Sequence, residues 1–278
     1  MQCLPMKKLS LIAILSVAFS SLTYSADIAR TLRTNAEKNS PPENFFEIGV
    51  NAGVGVGSSL TEKDGKGAGI GIHSSGSYNW NNFFIDVGMQ TSEPVVIGYN
   101  AYNSDNWTFD IMLGAGDSGI SKDTDDRFIG ITKRQSSTML GGRLTGYVGK
   151  NILQVSLKHD VRGKSKGTVA SALIGRNWQV GDWNFHGLVG LTLADAKYND
   201  YYLGVSDEDA AQTDFETYEG KASLHFNTSV GVTYPISESW ELRATTYAGS
   251  DFGDNDSPLF SKKRNFYAAV ITSITYEF

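Results

Sequence analysis

Four histidines, one cysteine and 30 acidic side chains are the material for chemistry in this 278-residue chain. His73, His159, His186 and His225 stand far apart, without i, i+4 spacing or a neighbouring cysteine, so no metal site is expected. His73 and Ser75 would share one face of a strand and could pair as base and nucleophile. No asparagine is placed convincingly to orient that imidazole, as triad logic requires. Asp251, Asp254 and Asp256 could gather around calcium, but the run lacks the EF-hand glycine and terminal glutamate. A solvated acidic loop is the favoured reading there. Lys262, Lys263 and Arg264 follow directly, and pairing with those aspartates is their favoured use. No cofactor and no enzymatic activity are expected. A net charge of −6 and a pI near 5.3 exclude a nucleic-acid partner.

Those residues need elements to hold them, and the first 25 are set apart from the rest. Lys7 and Lys8 precede the apolar run Leu9–Phe19, and small residues lead to Ser25-Ala26. This is the pattern of a secretory signal peptide over residues 1–25. The only cysteine, Cys3, lies within it, which leaves an exported chain with no thiol to mispair. Residues 26–44 are polar, contain Pro41-Pro42, and are expected to form a periplasmic N-terminal tether.

From residue 45 the apolar pattern has period two, the mark of strands with one apolar face. Phe46, Ile48, Val50, Ala52, Val54 and Val56 alternate with Glu47, Gly49, Asn51, Gly53 and Gly55. Twelve such runs are expected, near 45–57, 69–79, 83–91, 95–102, 107–116, 136–148, 151–161, 167–180, 182–195, 220–234, 239–250 and 265–278. Tight connections alternate with longer polar ones at 58–68, 117–135, 196–219 and 251–264. An up-and-down meander with short turns at one end produces this alternation.

Strands with apolar outer faces cannot leave edges unpaired in lipid, so closure follows. The predicted fold is therefore all-β: a closed antiparallel up-and-down transmembrane β-barrel spanning residues 45–278 in the outer membrane of a Gram-negative bacterium. Trp80, Trp107, Trp178, Trp183 and Trp240, with Tyr147, Tyr234 and Tyr276, lie near the tight turns as an expected aromatic girdle. Glu47, Asp86, Asp110, Arg143, Lys158, Asp160, Lys221, Glu241, Arg243 and Glu277 are expected inside, with opposite charges paired. Ile70 and Ile72 mark the lipid face, which turns His73 and Ser75 into the lumen, away from lipid substrates. Lys262–Arg264 would sit at the outer rim, within reach of lipopolysaccharide phosphates.

Certain stretches resemble a known family. Asp200-Tyr201-Tyr202-Leu203-Gly204-Val205-Ser206, then Ala210-Ala211 and Tyr218-Glu219-Gly220, are similar to the long loop of the MipA/OmpV family. Ser239-Trp240-Glu241-Leu242 and Gly253-Asp254-Asn255-Asp256-Ser257-Pro258 are similar to its penultimate strand and last loop. Residues 58–67 depart from it, lacking a Pro-x-Tyr-x-Gly pattern. The terminal Tyr276-Glu277-Phe278 resembles the assembly signal of outer-membrane barrels. The resemblance implies a non-enzymatic scaffold joining a lytic transglycosylase to a bifunctional penicillin-binding protein in murein synthesis. A small-solute porin-like channel is the alternative. The resemblance also marks Tyr201, Tyr202, Gly204, Val205, Ser206, Asp254, Ser257 and Pro258 as an interaction motif in the loops; the structural alternative for residues 200–211 is that Gly204 permits a turn and the tyrosines pack over the barrel mouth.

Overall fold

A computed structural model describes residues 44–60, 65–88, 95–117, 119–122, 124–253 and 256–278. The expected leader, the tether up to residue 43, and Asp254 of the loop motif lie outside the described residues.

Twelve antiparallel strands close into one barrel, each paired with its sequence neighbours and the first with the last. They are β1 (Phe45–Val56), β2 (Lys66–Trp80), β3 (Phe83–Gly88), β4 (Val95–Asn103), β5 (Trp107–Ala115) and β6 (Thr138–Val148). The second half comprises β7 (Asn151–Asp160), β8 (Thr168–Val180), β9 (Trp183–Ala194), β10 (Ser223–Pro235), β11 (Trp240–Phe252) and β12 (Phe266–Glu277). Two short helices, α1 (Ala196–Leu203) and α2 (Asp207–Ala211), interrupt the connection from β9 to β10.

The alternation does what its period dictates. Phe46, Ile48, Val50 and Val54 of β1 point outward and exposed, while Glu47 is fully enclosed. The seam is continuous, with Glu47 opposite Glu277 and Val54 opposite Val270 where β1 meets β12. Tight turns lie at one end. Asn81 and Asn82 both adopt positive φ, and Gly149 and Gly181 supply the positive φ of two-residue hairpins, whose mirror-image twist suits paired strands. Short turns face the periplasm in barrels of this type.

All five tryptophans point outward at that end. Trp183 packs on Tyr234 with ring centroids 4.6 Å apart, and Trp240 on Tyr276 at 5.1 Å. Phe278 stacks edge-on to Tyr276 at 4.8 Å and rests against Phe46 at 5.7 Å. Tyr147 is a correction to the expected girdle. It shares parity with Arg143 and Thr145, so it points inward and packs against Ile152, Leu173 and Leu188.

The lumen wall is polar and cross-linked. Arg243 on β11 reaches across β12 to clasp Glu47 on β1 with bonds of 3.0 and 2.7 Å, and takes Glu241 at 2.7 Å. Ser75 donates to the same Glu47 carboxylate. Arg143 holds Asp110 at 2.8 Å and lies over the Phe84 ring, while Asn100 donates to Asp110 at 2.9 Å. Thr145, Gln154, Thr192 and Asn227 are sealed from solvent although they face inward, so side chains fill the interior at their level. Lys221 is a second correction. It is exposed and lies before β10, because pairing with β9 begins only at Ser223 opposite Ala194.

Candidate functional site

Among the described residues, connections opposite the tight turns assemble into a cap over the barrel mouth. An apolar cluster of Ile120, Phe128, Ile131, Val205 and Leu259, with Leu60 packed against it, draws on four connections. Ser59 bridges Lys262 across two of these connections, and Val205 bridges Tyr218 within the β9–β10 connection. Ser58 Oγ donates to the Arg264 carbonyl at 2.8 Å. Burying these side chains explains why long polar loops without periodicity hold one arrangement.

Helix α1 is the keystone of the cap. Asp195 caps its start, accepting from the Tyr198 N–H at 2.8 Å. Three tyrosines on it reach the β5–β6 connection. The Tyr198 hydroxyl accepts from the Asp117 N–H at 3.0 Å. The Tyr201 hydroxyl accepts from the Gln135 N–H at 2.9 Å and donates to its carbonyl at 3.1 Å. The Tyr202 hydroxyl accepts from the Ser137 N–H at 2.8 Å and meets Ser137 Oγ at 3.0 Å. Burial pushes the Tyr198 phenol well above its ordinary range and also raises that of Tyr202. Both stay neutral and able to donate.

The described part of the loop motif converges here. Ser206 caps α2 in a reciprocal box with Asp209. Arg134 holds that carboxylate at 2.8 Å, and the Thr132 N–H donates to it at 2.7 Å. Burial would raise the Asp209 carboxyl, but these bonds and the guanidinium charge hold it well below the usual carboxylate range. Val205 lies in the cap core, Ser257 Oγ donates to the Leu203 carbonyl at 2.7 Å, and Pro258 is half-buried between Ser257 and Leu259. Gly204 ends α1 as its C-cap, with an ordinary φ of −69°. A Cβ there would run into the Asp200 backbone, and the glycine serves close approach. Tyr276 and Phe278 stand at the opposite end, on the outer surface.

The histidines fall out differently from one another. His73 and Ser75 face the lumen, as expected, with His73 Nε2 3.2 Å from Thr275 Oγ1 and Ser75 on Glu47. His159 faces outward at the rim, 3.0 Å from Thr168 Oγ1. His225 has the arrangement that sequence reasoning missed. Its Nδ1 lies 2.7 Å from Asp251 Oδ1, and its Nε2 lies 2.9 Å from Ser223 Oγ. Asn199 of α1 donates from Nδ2 to the same Ser223 Oγ at 2.8 Å and to the Lys221 carbonyl at 2.6 Å. Of the aspartates expected beside Lys262, Lys263 and Arg264, Asp251 serves His225. Lys263 Nζ donates to the Asp256 carbonyl at 2.7 Å. Asp251 looks inward while Asp256 is exposed, so these two do not converge on a cation. Among the described residues no group of His, Cys, Asp or Glu is placed to hold a metal ion.

Comparison with known proteins matches this architecture. The family model described as "MltA-interacting protein MipA" matches residues 50–278. Outer membrane protein Omp26La of Vibrio anguillarum is 24% identical over 166 residues, 58% of this chain and 63% of that protein. Outer membrane protein OmpV of Vibrio cholerae serotype O1 aligns with the same identity and coverage. The chain thus spans about three fifths of the length of the curated relatives it matches. Among solved structures, a bacterial polysaccharide outer membrane secretin is similar at 9% identity and a TM-score of 0.42, covering 86% of this chain and all of that one. With more than half its length matched by the family model, and relatives named as outer membrane proteins, this closed barrel belongs to the MipA family of outer-membrane proteins.

Proposed function

We propose that the barrel is a scaffold for murein-synthesising and murein-cleaving enzymes, with a lytic transglycosylase and a bifunctional penicillin-binding protein as partners. The observation that carries this reading is the family match, whose description names interaction with MltA. The filled interior supports it, because side chains sealed at the level of Gln154 and Asn227 leave little room for a wide pore. The partners engage the periplasmic end, formed by the tight turns and the segment preceding β1. Lys262 and Lys263, exposed on the opposite rim, face lipopolysaccharide phosphates. Detergent-purified barrel immobilised on a column should retain a lytic transglycosylase, and deleting residues 27–40 should weaken retention. No retention by folded barrel removes the basis of the reading.

A small-solute channel is the second reading. Its support is the inner wall of β1 and β2, where Asn51, Gly53, Gly69 and Gly71 keep partial solvent exposure. Planar-bilayer recordings test it: discrete conductance steps favour the channel, and silent bilayers with folded protein exclude it.

A further inference from the structure

The Ser223–His225–Asp251 arrangement has no part in the scaffold reading and is independent of it. Strand geometry builds it. Ser223 and His225, two apart on β10, share the inner face, and the β10–β11 register sets His225 directly opposite Asp251. The β9–β10 register sets Ser223 opposite Ala194, at the edge of a packed apolar cluster of Met139, Val169 and Ala194 covered by Tyr198 and Tyr202 of α1.

The protons in this row can be assigned from donor and acceptor capacity. In the neutral imidazole that a general base requires, Nδ1 of His225 carries the hydrogen toward Asp251, because a carboxylate accepts it. Nε2 is then an acceptor, and its neighbour Ser223 must donate. Ser223 Oγ in turn accepts from Asn199, whose amide nitrogen can only donate. The polarity runs one way through four side chains, each at least nine-tenths buried: Asn199 to Ser223 to His225 to Asp251. The last three stand in the order of nucleophile, base and orienting acid found in acyl-transfer sites, which are recognised by geometry and roles on unrelated folds.

We propose that Ser223 is the nucleophile of an esterase site inside the barrel mouth, with His225 as base, Asp251 as its orienting partner and α1 as lid. The substrate class is a carboxylic ester with an apolar acyl group, which would pack on Met139, Val169 and Ala194 once lifting α1 withdraws Tyr198 and Tyr202 from them. Ser223 Oγ adds to the ester carbonyl carbon, and its proton passes to His225 Nε2. Asn199 leaves with α1 when the lid lifts, which frees Oγ from its amide before attack. Collapse expels the alcohol, which takes the proton from Nε2 and leaves acyl-Ser223. Water, deprotonated by His225, then releases the carboxylic acid and restores the serine. Ser223 is 2% exposed beneath α1, so reaction requires the helix to lift from its tyrosine ties.

The test uses the full barrel purified in detergent, with folding checked by heat-modifiable gel mobility. A fluorophosphonate probe, read by mass spectrometry, and hydrolysis of p-nitrophenyl butyrate are the two readouts. The expected result is an adduct on Ser223, absent in Ser223→Ala and at least ~100-fold slower to form in His225→Gln, the scale of general-base assistance. Asp251→Asn should slow labelling and shift its pH profile, which a purely structural contact would not do. Tyr202→Phe, which loosens the lid, should label faster than the parent chain. No Ser223 adduct in either folded parent or Tyr202→Phe overturns the proposal, as does equal labelling of parent and His225→Gln. Retention of a transglycosylase by Ser223→Ala would separate this site from the scaffold reading.

Discussion

Replacing Arg243 by methionine perturbs the barrel where its first and last strands meet. Arg243 is nearly sealed from solvent and Glu47 wholly so, and the two share a bidentate contact of 3.0 and 2.7 Å across β12. Removing the guanidinium leaves the buried Glu47 charge without its Arg243 counter-charge, at a cost of roughly 3–5 kcal/mol. That corresponds to a fall of about a hundredfold to several-thousandfold in the folding equilibrium constant. Glu47→Gln should cost less, about 1.5–3 kcal/mol, because Arg243 keeps Glu241 at 2.7 Å. The double variant Glu47→Gln/Arg243→Met contains no buried unpaired carboxylate and should be more stable than Arg243→Met alone. The assay is urea unfolding in lipid vesicles followed by tryptophan emission, arranged as a double-mutant cycle. Additive losses would refute the reasoning, because they would mean that Glu47 does not feel the loss of Arg243.

Other consequences concern the cap and the girdle. Because the Asp209 carboxyl titrates below its ordinary value of about 3.9, its pair with Arg134 contributes fully above that pH and is lost as pH falls through the lower folded value. Proteolysis of the 124–137 and 205–211 segments should therefore accelerate below about pH 4 in the parent chain, and Asp209→Asn should be cleaved rapidly already at neutral pH. Tyr202→Phe should raise hydrogen exchange at the Ser137 amide, which loses its acceptor, by about tenfold for ~1–1.5 kcal/mol, while amides in β1 and β12 stay protected. Gly146 lies opposite Trp107 with its Cβ position filled by the indole, so Gly146→Val should displace the ring, redden its emission and cost ~1–3 kcal/mol.

The strands were legible because a half-buried strand in lipid imposes period two on every residue it contains. The twelve expected runs match the twelve strands, with ends moved by only a few residues. Tyr147 shows what happens when proximity replaces parity. It lies near a tight turn, yet counting from Leu140, Leu144 and Val148 puts it inside. The cap was not legible, since Val205, Phe128 and Leu259 meet only through contacts between separate loops and follow no period. The His225 site lies between these cases. Ser223 and His225 could have been paired by their spacing, but Asp251 joins them only once the 236–239 turn fixes the register of β10 on β11. Lys221 failed for a related reason, because the last residues of a long loop can stay with the cap although their composition continues the strand.

The most direct measurement is an accessibility scan along β12, using single cysteines at Val270, Ile271, Thr272, Ser273 and Ile274 in a background from which Cys3 has been removed. Each site is labelled with a bimane fluorophore in reconstituted vesicles and quenched by lipids brominated on their acyl chains. Strong quenching at 270, 272 and 274 with little at 271 and 273 is the predicted outcome, since only the first set faces outward. Uniform quenching along the strand, or none at any position, would contradict a closed wall with lipid on one side and a packed interior on the other.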